Sequence, residues 1–417
     1  MVTLDLQNLL VCRNILKDKL IQELDAAVSS PEDLALAHRF AGHLLEKAEE
    51  EGWSGNLIRD LFLNLLSQEG CLAAKMAEAS RGFIGSSLHQ AFIHDIKKLL
   101  PALMEKASEI VNVSILDNYI PSLPHKLEAT EYLEETLLGK TTPEEITQVF
   151  VNYYTKYGYG EIASYPAFSW DSQKQKLQGI RHFEAMDFAD LVGYDFQKEQ
   201  LINNTLAFIN HNPANNVLLV GARGTGKSSG VKALAKAYYT DGLRLIQMQK
   251  SQLSDLPGIM ANLRQFASKR FIIFFDDLSF EESDSDYKYL KSAIEGGVES
   301  KPENVLIYAT SNRRHLIKET WHDRNSEQDE MFRNDSINET ISLSDRFGLI
   351  INYIEPNQQE YLAIIDHFLR QEGIVMEPEE LRIEGNRWYM NHSGRSGRTA
   401  RQFVTHYIGQ LKQKNLH

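Results

Sequence analysis

The chain has 417 residues, of which 42% are hydrophobic and 24% charged, with a net charge of −13 and a pI near 5.5. That balance fits two or three soluble globular domains with cores of ordinary size, and it argues against a surface that coats nucleic acid at large, which needs clustered Lys and Arg. Two cysteines, Cys12 and Cys71, give no disulfide framework and no zinc spacing, and no apolar run approaches the ~18 residues of a membrane-spanning helix, so the expectation is reduced thiols in a cytoplasmic protein without a membrane partner.

In chain order, residues 1–156 read as a helical domain. Leu6, Leu9, Leu10, Ile15, Leu16, Leu20 and Ile21 recur at three- and four-residue steps. Ser30-Pro31-Glu32-Asp33 has the chemistry of a helix start, with Ser30 as cap and Pro31 at the first position. Leu57 to Leu66 and Phe92 to Leu103 continue the pattern, and Pro101 is expected to interrupt the second or begin a new helix. Thr142-Pro143-Glu144-Glu145 is a capping box that predicts a helix from Pro143 to about Lys156. His38, His43, His89 and His94 are scattered and form no ligand set. Residues 157–186 carry aromatics, glycines and a proline without helical period, and read as a linker.

From 187 the texture changes. Asp190 to Tyr194 is a turn before a helix predicted from Phe196 to about Ile209, in a place from which it can wrap a base or simply pack. Five short, nearly continuous apolar runs follow: Val217–Val220, Leu243–Gln247, Phe271–Phe275, Val305–Ala309 and Leu349–Tyr353. With helical stretches between several of them, they predict a parallel sheet covered on both faces, over 187–355. Residues 356–417 hold three amphipathic stretches, Asn357–Gln371, Pro378–Asn391 and Gly397 to about Lys412. They make a helical domain too small to be secure alone.

The chemistry begins where the first of these strands ends. Gly221-Ala222-Arg223-Gly224-Thr225-Gly226-Lys227-Ser228, followed by Ser229, has the G-x-x-x-x-G-K-[ST] spacing between strand and helix. Glycines let backbone N–H groups close on phosphate oxygens, and the helix start adds donors and the positive end of its dipole. Lys227 has the reach for β- and γ-phosphates, and Ser228 can ligate Mg²⁺. Phe271 to Phe275 ends in Asp276, a Mg²⁺ ligand candidate, and Asp277, placed to orient or deprotonate a water. Asp277 is one methylene shorter than Glu, so a slow reaction is expected, with Glu281 and Glu282 close enough to compensate. Asn312, at the tip of the neighbouring strand, can reach a γ-phosphate or the water; Arg313-Arg314-His315 follow it. Arg346, just before the last strand, either enters a neighbouring subunit's site or makes a surface salt bridge. Arg395, Arg398 and Arg401 open the last helix, where the helix dipole disfavours them; contact with nucleotide phosphate explains them better than helix stability does.

In this order, GARGTGKS, FIIFFDD, YATSN, LSDRFG and SGRTARQF resemble the motifs of AAA+ ATPases, over about residues 187–417. DLVGYD, GARGTGKSS, DDLSFE, ATSNRRHL and GRSGRTARQF are together similar to a bacterial family of AAA+ ATP-binding proteins with no settled function. The resemblance implies a sheet order of 5-1-4-3-2 with the helical lid over the nucleotide. It implies that Leu191, Val192 and Tyr194 contact adenine, that Gly224, Gly226, Lys227 and Ser228 match Walker A within a nucleotide-binding stretch from Gly221 to Ser229, and that Asp276 and Asp277 form Walker B. Asn312 would be sensor 1, Arg346 the arginine finger (with Arg313 or Arg314 as alternatives), and Arg398 sensor 2, with Arg401 in reserve. The expected cofactors are ATP and Mg²⁺. The expected partners are further copies of the chain and a protein bound through the N-terminal domain; the arginine clusters leave nucleic acid open. The expected activity is slow ATP hydrolysis that remodels or regulates a partner. The rivals are a nucleotide-gated switch or helicase-loader-like module with little turnover, and a small-metabolite kinase, which Asn312 and the C-terminal helices fit less well.

Overall fold

The computed structural model describes residues 4–280, 284, 286–295, 301–312, 316, 343–392 and 394–414. The chain divides into two compact units, one of residues 1–165 with 264–269, the other of 166–263 with 270–417.

The first unit follows from the three- and four-residue apolar steps. Its helices are α1 (Lys19–Ser29), α2 (Leu34–Glu51), α3 (Leu57–Gln68), α4 (Leu72–Ala79), α5 (Ser86–Met104), α6 (Ala107–Val111), α7 (Glu128–Leu137), α8 (Pro143–Tyr157) and α9 (Glu161–Ser164). Each long helix buries one stripe: Phe40 and Leu44 from α2, Phe62 and Leu66 from α3, Phe92, Ile96 and Leu99 from α5. The organising helix is α8, which packs against α4, α5 and α7. Its Phe150, Tyr153, Tyr154 and Tyr157 are all buried, and the Phe150 ring meets Phe92 edge-on at 6.4 Å between centroids. The expected capping box is present at its start: Thr142 Oγ1 accepts from Glu145 N at 3.3 Å and Pro143 takes the first position.

Three local expectations for this unit are corrected. Ser30 closes α1 rather than opening a helix; Asp33 caps α2 instead, its carboxylate accepting from Ala35 N at 3.0 Å. A carboxylate two residues before the free N–H groups serves them better than a hydroxyl followed by a proline turn. The first leucine run is not helical until Lys19; Asp18 caps α1, after a short 3-10 turn at Arg13–Lys17. Pro101 interrupts nothing: α5 runs through it to Met104. The proline stands in the last turn, where the helix has almost ended and its carbonyl still accepts from Glu105 N at 2.9 Å. The unit also contains a fully buried ion pair. Lys269 Nζ lies 3.1 Å from Glu78 Oε2, and both side chains are inaccessible. Ser268 Oγ donates to Glu78 at 2.7 Å and Lys269 donates to Thr155 O at 2.7 Å, so the charges are enclosed by partners.

In the second unit a seven-stranded sheet has the order β2-β1-β4-β5-β6-β3-β7. The strands are β1 (Ala167–Asp171), β2 (Lys176–Gly179), β3 (Val217–Gly221), β4 (Leu243–Met248), β5 (Arg270–Phe275), β6 (Val305–Ser311) and β7 (Leu349–Tyr353). The five expected strands lie side by side and parallel as β7-β3-β6-β5-β4, which is the expected 5-1-4-3-2 order. The added pair comes from residues 157–186, where a linker was expected. There Phe168 and Trp170 are buried and β1 pairs with β4, Ala167 opposite Leu245. The Asp171 carboxylate accepts from the Gln173 and Lys174 N–H groups, both at 3.0 Å, and turns the chain into antiparallel β2. Strands this short, one of them mostly polar, give too few alternations to register as period two.

Helices α10 (Asp195–Ile209), α11 (Lys227–Ala237), α12 (Leu256–Leu263) and α13 (Tyr287–Glu295) accompany the sheet. Three more, α14 (Gln358–Gln371), α15 (Pro378–Met390) and α16 (Gly397–Lys414), form a small bundle around Tyr361, Ile365, Phe368, Leu369 and Phe403. Asn357 and Glu360 cap α14 reciprocally. Among the described residues no helix is long and apolar enough to cross a membrane.

Candidate functional site

Strand β3 ends at Gly221 and α11 begins at Lys227, and the five residues between them, Ala222 to Gly226, make the loop at the centre of the site. Gly221 has φ +136°, and a Cβ there would stand 1.9 Å from Tyr353 O on β7; no other residue fits. Gly224 (φ +74°) and Gly226 (φ +90°) take left-handed conformations that turn the loop back on itself. Lys227 is buried inside the turn. Its Nζ donates to Gly221 O at 2.8 Å, Ala222 O at 2.6 Å and Asn312 Oδ1 at 3.3 Å. Burial lowers its pKa below the usual lysine value, against the opposite pull of Asp277 and Asp276.

All six residues of β5 are buried, and the strand delivers Asp276 and Asp277 at its end. The Asp276 carboxylate accepts from Ser228 Oγ at 2.5 Å and from Thr310 Oγ1 at 2.7 Å. Thr310 Oγ1 in turn accepts from Asp277 N at 2.8 Å. Asp277 has φ +53°, uncommon for a residue with a side chain, and its carboxylate accepts from the Asn312 amide. Lys227, Asn312 and Asp277 thus form one hydrogen-bonded set and Ser228 and Asp276 another, joined through Thr310 and drawn from three segments of the chain. Thr310 was not singled out as a site residue. It sits next to Ala309, which pairs with Phe275 across β5 and β6, and that register cannot be read from sequence spacing.

Around this polar centre lies a cavity of about 650 Å³, a size suited to a small ligand. Arg223 to Ser229 line it as one continuous stretch. Leu191, Val192 and Tyr194 line another side, from the turn before α10, and Ile364 and Phe368 of α14 are part of the same lining. Tyr194 has a left-handed backbone conformation and its hydroxyl donates to Ile354 O at 2.6 Å, while Lys198 Nζ donates to Leu191 O at 2.8 Å. Ile364 and Phe368 are one helical turn apart on the lid; their amphipathic spacing was visible, their role as cavity wall was not. Arg398 and Arg401 both border the cavity. Arg398 is close to the loop: a Cβ on Gly224 would lie 3.2 Å from its own Cβ. Arg401 places its guanidinium 4.9 Å from the centre of the Phe368 ring.

Gly221 and Ala222 serve mainly by holding Lys227 through their carbonyls. Arg346 is not among the cavity's lining residues; it is paired with Glu295 at the end of α13. Glu281, Glu282, Arg313, Arg314, His315 and the charge-rich stretch 319–338 lie outside the described residues.

Comparison with known proteins adds the following. A family model described as "Protein of unknown function (DUF815)" matches residues 163–411. The Replication factor C large subunit of Methanococcus maripaludis strain C7 is 28% identical over 102 residues, which cover 24% of this chain and 21% of that one. The chain therefore spans about a fifth of that relative's length. Among solved structures, the Thermotoga maritima RuvB Holliday junction branch migration motor matches 55% of this chain and 66% of its own, at 17% identity and TM-score 0.40. The FIGL-1 AAA domain in complex with ADP matches over 54% and 73%, at 17% identity and TM-score 0.38.

Proposed function

The chain belongs to the DUF815 family of proteins of unknown function, its motifs and sheet order are those of an AAA+ P-loop protein, and on that premise we propose that it binds Mg·ATP in the cavity described above and hydrolyses it slowly. The observation that carries this is the hydrogen-bonded set Lys227–Asn312–Asp277 and Ser228–Asp276–Thr310 at the mouth of a glycine loop. The residues fit the ligands. Gly224 and Gly226 give the loop backbone left-handed turns that a side chain would strain, and a Cβ on Gly224 would stand 2.8 Å from Ser396 Oγ. Ser228 Oγ and the Asp276 carboxylate are hard oxygen donors of the kind Mg²⁺ takes, and they would hold it. When bound, the ion neutralises charge on β- and γ-phosphate oxygens.

The chain's own residues account for the remaining roles. Lys227 would exchange its carbonyl partners for phosphate oxygens, a stronger charge-assisted bond. Leu191, Val192 and Tyr194 would take the base, with Ile364 and Phe368 as the opposing wall. Asp277 would accept the proton of the attacking water, oriented by Asn312. Arg398 would contribute positive charge from the lid, with Arg401 as the alternative. Arg346 would act on a neighbouring copy's site in a homo-oligomer, after exchanging Glu295 for phosphate. The helical N-terminal unit would carry the protein partner that the nucleotide cycle remodels or regulates. The test is a calorimetric titration of Mg·ATP into wild type and Lys227→Ala, with steady-state phosphate release measured alongside; binding by wild type alone is the expected result.

A second reading is favoured by one observation. The Asp277 carboxylate is short and already engaged by Asn312, which suits a nucleotide-gated switch with little turnover. Binding without phosphate release at any protein concentration would select it.

A further inference from the structure

The turn before α10 is fastened on two sides. It opens with a 3-10 turn, Phe188–Asp190, in which Asp190 N donates to Asp187 O at 3.0 Å. On one side Lys236 of α11, the helix that starts at Lys227, donates to the Asp187 carboxylate at 2.8 Å. On the other side the turn meets α14. The Gln371 side-chain amide donates to Asp190 Oδ1, and His367 Nε2 stands 3.6 Å from the same oxygen. Met186 and Val192, before and after Asp190, pack against the apolar core of the lid around Tyr361, Ile365 and Phe368.

These contacts meet at the edge of a slot. Asp190 is followed directly by Leu191 and Val192, and all three line the cavity. Ile364 and Phe368 of α14 line it too. His367 and Gln371 each stand three residues after one of that pair, so the two pairs occupy adjoining strips of the helix. The His367 ring meets Phe368 edge-on at 5.7 Å between centroids. The Asp190 carboxylate therefore joins the turn that supplies one wall to the helix that supplies another. Nearby cations are engaged elsewhere: Arg370 donates to Asp366 at 2.7 Å on the same helix, and Arg401 lies over the Phe368 ring.

We propose that Asp190 is a positioning residue for the base of the nucleotide: bonded to Gln371, with His367 beside it, it holds the lid helix against the turn and fixes the spacing of the slot that takes a planar purine. Given the reading of the cavity as a Mg·ATP site, on which this rests, the contact confers affinity for a nucleoside triphosphate without changing affinity for the triphosphate chain alone. Only the base lies between turn and lid; the phosphates belong to the glycine loop.

The experiment titrates Mg·ATP and Mg·tripolyphosphate calorimetrically into the full chain and into Gln371→Glu, Asp190→Asn and the double variant, each with its melting curve. Gln371→Glu sets two carboxylates against each other and should weaken ATP about 10-fold while changing tripolyphosphate less than about 2-fold. Asp190→Asn keeps an oxygen acceptor for the Gln371 amide and should lose less than about 3-fold. The double variant exchanges donor and acceptor, an amide at 190 facing a carboxylate at 371, and should return ATP affinity to within about 3-fold of wild type. Gln371 is exposed at the end of α14, so its substitution should leave the melting temperature unchanged. If tripolyphosphate gives no heat, the loss and recovery of ATP affinity decide. Unchanged ATP affinity in Gln371→Glu, equal weakening of both ligands, or no recovery in the double variant would each overturn the role of Asp190 and leave nucleotide binding in place. A wild type that binds neither ligand would remove the Mg·ATP reading, and the role of Asp190 with it.

Discussion

The two units place their clustered polar groups in opposite ways. In the helical unit they are closed off: Glu78 and Lys269 are fully inaccessible, and both are supplied with further partners by Ser268 and Thr155. In the sheet unit they converge on an open cavity, where Lys227, Asn312 and Asp277 form one hydrogen-bonded set and Ser228, Asp276 and Thr310 another, within reach of a ligand. The difference separates polarity that is enclosed by packing from polarity that is presented to a cavity. It also explains why only one half of the chain announces itself in sequence. Convergent groups need fixed spacing around a loop, whereas a closed ion pair 191 positions apart leaves no motif.

The comparison breaks most severely at Glu78. Glu78→Ala strands the Lys269 charge and should destabilise the helical unit by about 3–5 kcal/mol, read by urea unfolding, whereas Glu78→Leu with Lys269→Met should recover most of the loss. A smaller effect is expected at Asp60, near the start of α3, whose pKa is raised to about 7 by burial and then by the charge of Glu134. Because the folded value lies above the unfolded one, the stability is complete below about pH 4 and is lost as pH rises through 7. Asp60→Asn should therefore gain roughly 2–4 kcal/mol over wild type at pH 8 and lose the slope between pH 4 and 7, seen in melting temperature against pH.

In the sheet unit the expected effects fall on chemistry rather than stability. Asp277→Asn should retain ATP affinity and lower turnover by about 100-fold, the low end for loss of a general base. Equal rates for the two proteins would remove Asp277 from that role. Arg398→Ala should weaken ATP by about 10-fold, on the order of one charge-assisted hydrogen bond, measured by titration with melting temperature unchanged.

Much of the second unit was legible in the sequence for physical reasons. Buried parallel strands are continuous apolar runs, and Phe271–Phe275 falls one residue short of β5, all six of whose residues are buried. Reciprocal caps such as Thr142–Glu145 and Asn357–Glu360 place helix starts because both partners are local. What stayed hidden depends on pairing between distant segments. Thr310 touches Asp276 only through the β5–β6 register. Phe368 faces the cavity only because α14 folds back over it. The β1–β2 hairpin gains its meaning from β4, whose Ile246 lies 78 positions on from Phe168 by number and opposite it in the sheet. Ser30 misled because its neighbours imitate a helix start, and only the competing cap at Asp33 settles the boundary.

The account stands most directly on whether the polar convergence at Lys227 is a nucleotide site. Titrating Mg·ATP into the full chain and into Lys227→Ala, each first shown to be folded by its melting curve, tests it in one measurement. The account predicts saturable one-site binding by wild type, and affinity reduced by about 100-fold or more in the variant through loss of charge-assisted bonds to phosphate. Equal binding by the two proteins, or no heat from wild type, would contradict it.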